Sequence, residues 1–306
     1  MTFSSYNMET VTKRRVVVGD IHGELTGLTA ILRHAKLIGP SGKWTGGETV
    51  LIQTGDVVDR GPCTWECVRL LRELQRQAPE FGGEVVRLCG NHELWLMRGP
   101  DFFYFAEQTR PPVAEPEKLG EELKAEVAIG ILKAAHTDGC RLYTHAGLRS
   151  KVKAKLLEEM GAPNNIRKNR VDLIALVKHI NDKFQELVAR GEFERHPMFW
   201  IDKTRNGGDP IGGIFWCDYR SISPSERAFE IPQIFGHTPS FKNELQHSHS
   251  LKLINVDAGM TEDYGGYRVY LEITSEGEIV QHALKKRTST RWSSVVLGRE
   301  AETVKK

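Results

Sequence analysis

Three short, nearly unbroken apolar runs, at 15–18, 50–53 and 85–88, are each followed by a glycine and then a polar residue: Gly19-Asp20, Gly55-Asp56 and Gly90-Asn91. Runs this short, without polar alternation, read as strands buried on both faces. Between them, Leu25, Leu28, Ile31, Leu32 and Ala35 recur at helical spacing over 25–37, and 67–74 keeps the same rhythm. The spacing predicts a βαβαβ unit of parallel strands whose C-terminal ends share one edge, where ligands collect. Residues 99–120, rich in Pro, Gly, aromatic and acidic residues, read as a long loop; the aromatics Trp95, Phe102, Phe103, Tyr104 and Phe105 read as loop packing, with a wall over a bound ligand as the alternative. Residues 121–136 read as a helix, and 141–144 as a strand that delivers His145. A charge-rich helical insertion is expected over about 151–206, with Leu173, Leu176, Val177, Ile180 and Phe184 on one face. Strand pattern returns at 231–235, 252–256 and 267–273. Residues 1–13 and 287–306 read as flexible tails around one domain at 14–286.

Composition narrows the class without choosing a function. The 306 residues are 40% hydrophobic and 27% charged, and 42 Lys plus Arg against 40 Asp plus Glu leave a formal charge of +2. Such a chain buries a sizeable core, and its balance argues against nucleic acid or an acidic membrane as a partner. Any pull on phosphate must come from a local site. No apolar run approaches the roughly 18 residues a membrane span requires. Five cysteines without paired zinc spacing fit a reducing, cytoplasmic setting.

Chemistry-bearing residues crowd the predicted strand ends. Gly19-Asp20-Ile21-His22-Gly23, Gly55-Asp56-Val57-Val58-Asp59-Arg60-Gly61 and Gly90-Asn91-His92-Glu93 come first, then His145-Ala146-Gly147 and Gly236-His237-Thr238. Carboxylates, imidazole nitrogens and an amide oxygen arriving from five strand ends point to a two-metal hydrolytic site. Asp20 and His22, two residues apart on an extended strand end, would face one metal together. Asp56 would bridge to a second metal, completed by Asn91, His145 and His237. Mixed nitrogen and oxygen donors favour Mn, Fe or Zn over Mg or Ca. Arg60 offers a planar fork for phosphate. Glu93 reads as a structural hydrogen-bond partner, and the remaining histidines, His34 and His282 among them, as surface or core residues.

These phrases resemble the signature of the calcineurin-like metallophosphoesterases, and within them the phosphoprotein phosphatases, over residues 14–273. Trp44-Thr45-Gly46-Gly47 and Asn255-Val256-Asp257-Ala258-Gly259-Met260 resemble the Shewanella-type branch, while His145-Ala146-Gly147-Leu148 is similar to diadenosine-tetraphosphatase-like enzymes. The resemblance implies an α/β (α+β) fold, a two-sheet β-sandwich flanked by helices with a helical insertion. It implies two divalent or trivalent metal ions and direct attack of metal-bound hydroxide on phosphorus. His92, paired with Asp59, would be the general acid, and Asn91 and Arg60 would contact substrate. Relatives place a further Arg on the phosphate. Arg220 is the local candidate, although in the Shewanella-type pattern the Arg precedes an Asp-Tyr pair and here it follows Asp218-Tyr219. A phosphorylated protein is the expected substrate. Two alternatives stand beside it: hydrolysis of phosphoanhydrides such as dinucleoside polyphosphates, polyphosphate or nucleotide caps, and a catalytically silent metal-binding scaffold.

Overall fold

The computed structural model describes residues 13–99, 113–161, 172–193, 195–223, 231–284 and 291–299. The expected N-terminal tail and the Phe102–Phe105 aromatics lie outside the described residues, apart from Lys13.

The N-terminal βαβαβ unit forms as the pattern predicts. β1 (Arg15–Val18), α1 (Leu25–His34), β2 (Val50–Gln53), α2 (Thr64–Gln77) and β3 (Glu84–Leu88) follow in order, and β1, β2 and β3 pair in parallel. All four residues of β1 and of β2 are buried, as strands covered on both faces require. α3 (Asn91–Arg98) begins directly on the third phrase. α4 (Pro116–Ala128), β4 (Leu132–Lys133), β5 (Ala135–Thr137) and β6 (Leu142–Thr144) come next.

This stretch departs from the expected helix over 121–136. Pro116 sits in the first turn of α4, where its missing N–H costs nothing. Gly130, with φ at 73°, turns the chain out of the helix and into β4. The expected helical insertion contains α5 (Ser150–Glu159) and α6 (Leu173–Arg190). Asp172 caps α6 by accepting from the N–H groups of Ile174 and Ala175. Asn181 of α6 accepts from the backbone N–H groups of Ala134 and Ala135 at 2.9 and 3.1 Å, tying the helix to β5.

The chain closes with β7 (Gln233–Phe235), β8 (Gln246–His247), β9 (Leu253–Asn255), β10 (Val269–Ile273), β11 (Glu278–Leu284) and β12 (Trp292–Arg299). Over 292–299 the last strand corrects the expectation of a flexible C-terminal tail; residues 287–290 and 300–306 lie outside the described residues. β12 pairs antiparallel with β11 over its whole length, and its Trp292 stacks on His34 at 4.1 Å between ring centroids. Sheet pairing, the Trp292 contacts with His34 and Tyr270, and the packing of Leu297 against the core order a segment whose other residues bury little.

The strands form a seven-stranded sheet, β12-β11-β10-β1-β2-β3-β4, and a five-stranded sheet, β5-β6-β7-β9-β8. Val17, Ile52 and Val86 of the first meet Tyr143, Ile234 and Ile254 of the second in one core, so the architecture is the expected sandwich of two mixed sheets flanked by helices. β6, β7 and β9 are also parallel to one another. The C-terminal ends of β1, β2 and β3 therefore face those of β6, β7 and β9. No helix among the described residues is long and apolar enough to cross a membrane.

Candidate metal centre

Asp56 is the hub of the strand-end cluster. Its Oδ2 lies 3.7 Å from His22 Nε2, 3.8 Å from His92 Nε2 and 3.4 Å from His145 Nε2. His145 Nε2 is 2.9 Å from Asn91 Oδ1 and 3.1 Å from His237 Nδ1. Asp20 accepts the backbone N–H of His237 at 3.0 Å, which links the first phrase to the last. Two three-residue groups, His22-Asp56-His92 and Asp56-His145-His237, bring donor atoms close enough to hold a metal ion each, with Asp56 common to both.

The backbone reaches this geometry by leaving the strands abruptly. His22, Asp56, Asp59, Arg60 and His237 all have positive φ, between 48° and 75°, a conformation uncommon for residues with a side chain and concentrated at functional sites. His22 thus enters the cluster through a left-handed turn, not through the strand alternation that the Asp20-x-His22 spacing implies. Glu93 fixes the turns, accepting from the backbone N–H groups of Gly90 at 2.7 Å, Asp56 at 2.8 Å, Val57 at 2.8 Å and Val58 at 3.2 Å. It has the structural part expected of it. Two glycines are required by space: a Cβ at Gly90 would lie 2.1 Å from Asp56 Oδ1, and one at Gly236 would lie 2.2 Å from Asp20 Oδ1.

A sequence profile decides the family. The pattern of calcineurin-like phosphoesterases matches residues 13–241. The chain belongs to this family. As a calcineurin-like phosphoesterase it is 28% identical over 302 residues to an uncharacterized protein of Schizosaccharomyces pombe, covering 88% of this chain and 80% of that one. It is 38% identical over 96 residues to Shewanella-like protein phosphatase 2 of Arabidopsis thaliana, a match covering 31% of this chain and 24% of the relative. It is also 35% identical over 81 residues to the symmetrical bis(5'-nucleosyl)-tetraphosphatase of Cronobacter sakazakii, covering 26% of this chain and 24% of that enzyme. Among solved structures, the cold-active protein-tyrosine phosphatase of a psychrophilic Shewanella species has the same fold, with a TM-score of 0.61, 20% identity and coverage of 92% of this chain and 80% of that one.

The family works with divalent metal ions, and the donor set fits them. His22 Nδ1 and His145 Nδ1 lie 3.0 and 2.9 Å from the carbonyls of Val58 and Thr54. A carbonyl only accepts, so each Nδ1 carries the proton and each Nε2 lone pair is turned toward the Asp56 carboxylate. Lone pairs facing a carboxylate make sense around a cation. His237 Nε2 is buried without a hydrogen-bond partner. Burial holds His22 and His237 well below the ordinary histidine range and brings His145 down to about 3, so all three imidazoles are neutral, as ligation requires. Burial also pushes the Asp56 carboxyl up to about 7, and burial plus the charges of Asp257 and Asp56 raise Asp20 well above its usual value. These are carboxylates short of positive charge.

His92 and Asp59 are joined as the sequence suggests, Nδ1 to Oδ2 at 2.7 Å. Burial pushes the Asp59 carboxyl up, but the hydrogen bond and charge of His92 overcome this and leave it below its usual value. Asp59 is held in turn by its N–H to Thr64 Oγ1 at 3.0 Å and by accepting the N–H of Arg60 at 2.7 Å. The Arg60 guanidinium lies 5.0 Å over the Tyr264 ring.

Arg220 is not brought into the cluster. Its guanidinium forks onto Asp218 at 2.6 and 2.9 Å, and its side chain is 60% exposed. The arginine against the cluster is Arg205, which donates to the His237 carbonyl and to Thr238 Oγ1, both at 3.1 Å. Buried Asp218 also pairs with Arg205, at 2.9 Å. Sequence reasoning missed Arg205, which lies in a short turn without motif or periodicity. It also assigned no part to Asp257, a buried carboxylate beside Asp20 that burial pushes up to about 7. Its Asn-Val-Asp-Ala-Gly setting, at the end of a predicted strand, was the available signal.

Proposed function

We propose that this chain is a metal-dependent phosphatase that hydrolyses phosphomonoesters, with phosphorylated proteins as substrates. The observation that carries the reading is the convergence on Asp56 of His22, His92 and His145, with His237 and Asn91 against His145 and an acid–arginine pair, His92-Asp59 and Arg60, at the same edge. Relatives named as protein phosphatases support the substrate, including serine/threonine-protein phosphatase 1 of Salmonella typhimurium, 35% identical over 107 residues covering 34% of this chain and 45% of that protein.

Asp20, His22, Asp56, Asn91, His145 and His237 would hold two cations, of Mn, Fe or Zn by donor type. When bound, these supply Lewis acidity and positive charge to the phosphoryl oxygens. The chain's own groups do the rest. Arg60 holds phosphate with its planar fork, steadied on the Tyr264 face. Arg205 adds positive charge beside His237. His92, its Nδ1 committed to Asp59, presents Nε2 to the departing oxygen and donates the proton there. Asp59 stabilises the charged imidazole before transfer. The five cysteines are unpaired, which supports a reducing, cytoplasmic setting.

The match to the Cronobacter sakazakii tetraphosphatase favours a second reading, phosphoanhydride hydrolysis. Phosphopeptides, diadenosine tetraphosphate and polyphosphate assayed under one metal condition separate the two. We expect the phosphopeptides to turn over fastest. Activity confined to anhydrides would remove the protein-phosphatase reading, and no metal uptake with no turnover would leave a binding scaffold.

A further inference from the structure

Two groups that the phosphatase reading uses, Asn91 and His92, occupy the first turn of α3. The start of this helix is fixed by Glu93, which accepts the Gly90 N–H at 2.7 Å. One turn further along stands Trp95. Residues three apart share a helix face, and long side chains lean back toward the N-terminus, so the indole falls on the imidazole. The Trp95 and His92 rings lie 4.4 Å apart between centroids, inclined at 61°. Trp95 therefore does not pack within a loop, as its sequence setting suggests; it packs on the general acid.

That acid needs more than one tether. To protonate a departing oxygen, His92 must aim Nε2 at one point. The hydrogen bond from Nδ1 to Asp59 Oδ2, at 2.7 Å, fixes one atom of the ring but leaves the ring able to swing about that atom. Nε2 already lies 3.8 Å from Asp56 Oδ2, so a modest swing carries it in among the metal donors. Two rings restrain the swing. His22 meets His92 edge-on at 4.6 Å, and Trp95 is the other. Trp95 is braced in turn by Trp216, which is 8% exposed and lies 5.2 Å from Trp95 and 5.7 Å from His237. Trp216 follows Phe215, a buried ring stacked on Phe199 at 5.3 Å. A row of five rings, His22, His92, Trp95, Trp216 and His237, thus runs from the first metal-binding phrase to the last, with the acid inside it.

Resting on the phosphatase reading above, we propose that Trp95 is a positioning residue for the general acid, holding the His92 imidazole so that Nε2 points at the leaving oxygen. The step it serves is a single proton transfer. The Nε2–H bond breaks and an O–H bond forms on the ester oxygen, which keeps the electron pair of the breaking P–O bond. Trp95 acts through His92, and its effect follows how much the leaving group needs that proton. An alkoxide needs it greatly, and a nitrophenolate little.

The test measures kcat on an alkyl phosphate and on p-nitrophenyl phosphate for the parent protein, Trp95→Leu, Trp95→Phe, His92→Ala and the double variant Trp95→Leu/His92→Ala. Trp95→Leu is expected to lower the alkyl-to-aryl ratio of kcat about tenfold, the size of one aromatic contact. Trp95→Phe, which keeps a flat face, recovers most of that ratio. In the His92→Ala background Trp95→Leu lowers the ratio no further, because the group it positions is gone. Trp95→Met, longer than Leu and equally without a flat face, gives the same comparison if Trp95→Leu does not fold. An unchanged ratio in Trp95→Leu, or an equal fall in the ratio with and without His92, overturns the proposal and leaves the phosphatase reading standing. A ratio unchanged by His92→Ala removes the acid and the part of Trp95 with it. A parent protein inactive on both substrates overturns the phosphatase reading itself.

Discussion

Among the described residues, histidines meet carboxylates around Asp56 at the strand ends and, with a different outcome, around Glu272 on the seven-stranded sheet. In the second, Glu272 accepts from Arg14 at 2.6 Å and pairs with His282 at 2.9 Å, while His34 bonds Tyr270 at 2.9 Å. His282 also stacks on Tyr270 and meets Ser294 at 2.8 Å. Burial pushes the Glu272 carboxyl up, but its bonds from His282 and Arg14 prevail and bring it to about 2. Charge there is balanced within the protein. Around Asp56 it is not, and imidazole lone pairs face a carboxylate raised to about 7. The same residue types make a balanced staple in one place and a group of raised, uncompensated carboxyls in the other. What distinguishes them is compensation, not composition.

Activity should divide the two clusters most sharply. Asp56→Asn is expected to lower phosphate ester turnover by about 10³-fold or more and to reduce bound metal measured by elemental analysis, while Glu272→Gln changes neither. Comparable losses from both would mean the clusters are not distinct in kind. Within the first cluster, His92→Ala should slow alkyl phosphates about 10²-fold more than p-nitrophenyl phosphate, whose leaving group needs little protonation. Equal slowing on both substrates would take the acid role from His92.

Stability gives the smaller and subtler contrast. In metal-stripped protein, Asp56→Asn removes an uncompensated buried charge and should raise Tm by about 2–4 °C, the shift that 1 kcal/mol produces in a domain of this size. Glu272→Gln should lower stability at neutral pH by about 1.5–3 kcal/mol, the worth of a charged hydrogen bond. The Glu272 carboxyl is lower in the folded protein than its ordinary 4.5, so its contribution is complete above 4.5 and disappears as pH falls toward 2. Thermal melts of the two proteins should therefore converge across that window. A gap that persists at pH 2 would place the effect in packing instead of charge.

The sequence was most legible where one local signal sufficed. Apolar runs ending in glycine marked β1, β2 and β3, and they placed Asp20, Asp56 and Asn91 because a buried strand and a tight turn are both short-range features. The helix expected over 121–136 is present but runs over Pro116–Ala128, because Pro116 and Gly130 punctuate the chain more strongly than its apolar spacing does. β12 was invisible because pairing with β11, not burial, orders it. Arg205 reaches the cluster only through the tertiary fold, from a three-residue turn with no period to read. The left-handed turns at His22, Asp56 and His237 were hidden for a related reason. Sequence marks such turns through glycine, and here other residues are forced into them by the hydrogen bonds around Glu93 and Asp20.

The position of β1 has a consequence for how the molecule is made. This strand lies between β2 and β10, and Val16 opposes Leu51 on one side and Glu272 on the other. During synthesis its first neighbour arrives early, but its second comes only after most of the polypeptide has left the ribosome. Until then the strand bearing Asp20 has an open hydrogen-bonding edge, a template for pairing with the wrong chain. A nascent protein halted short of β10 is therefore expected to be aggregation-prone, even with every member of the Asp56 cluster already synthesised.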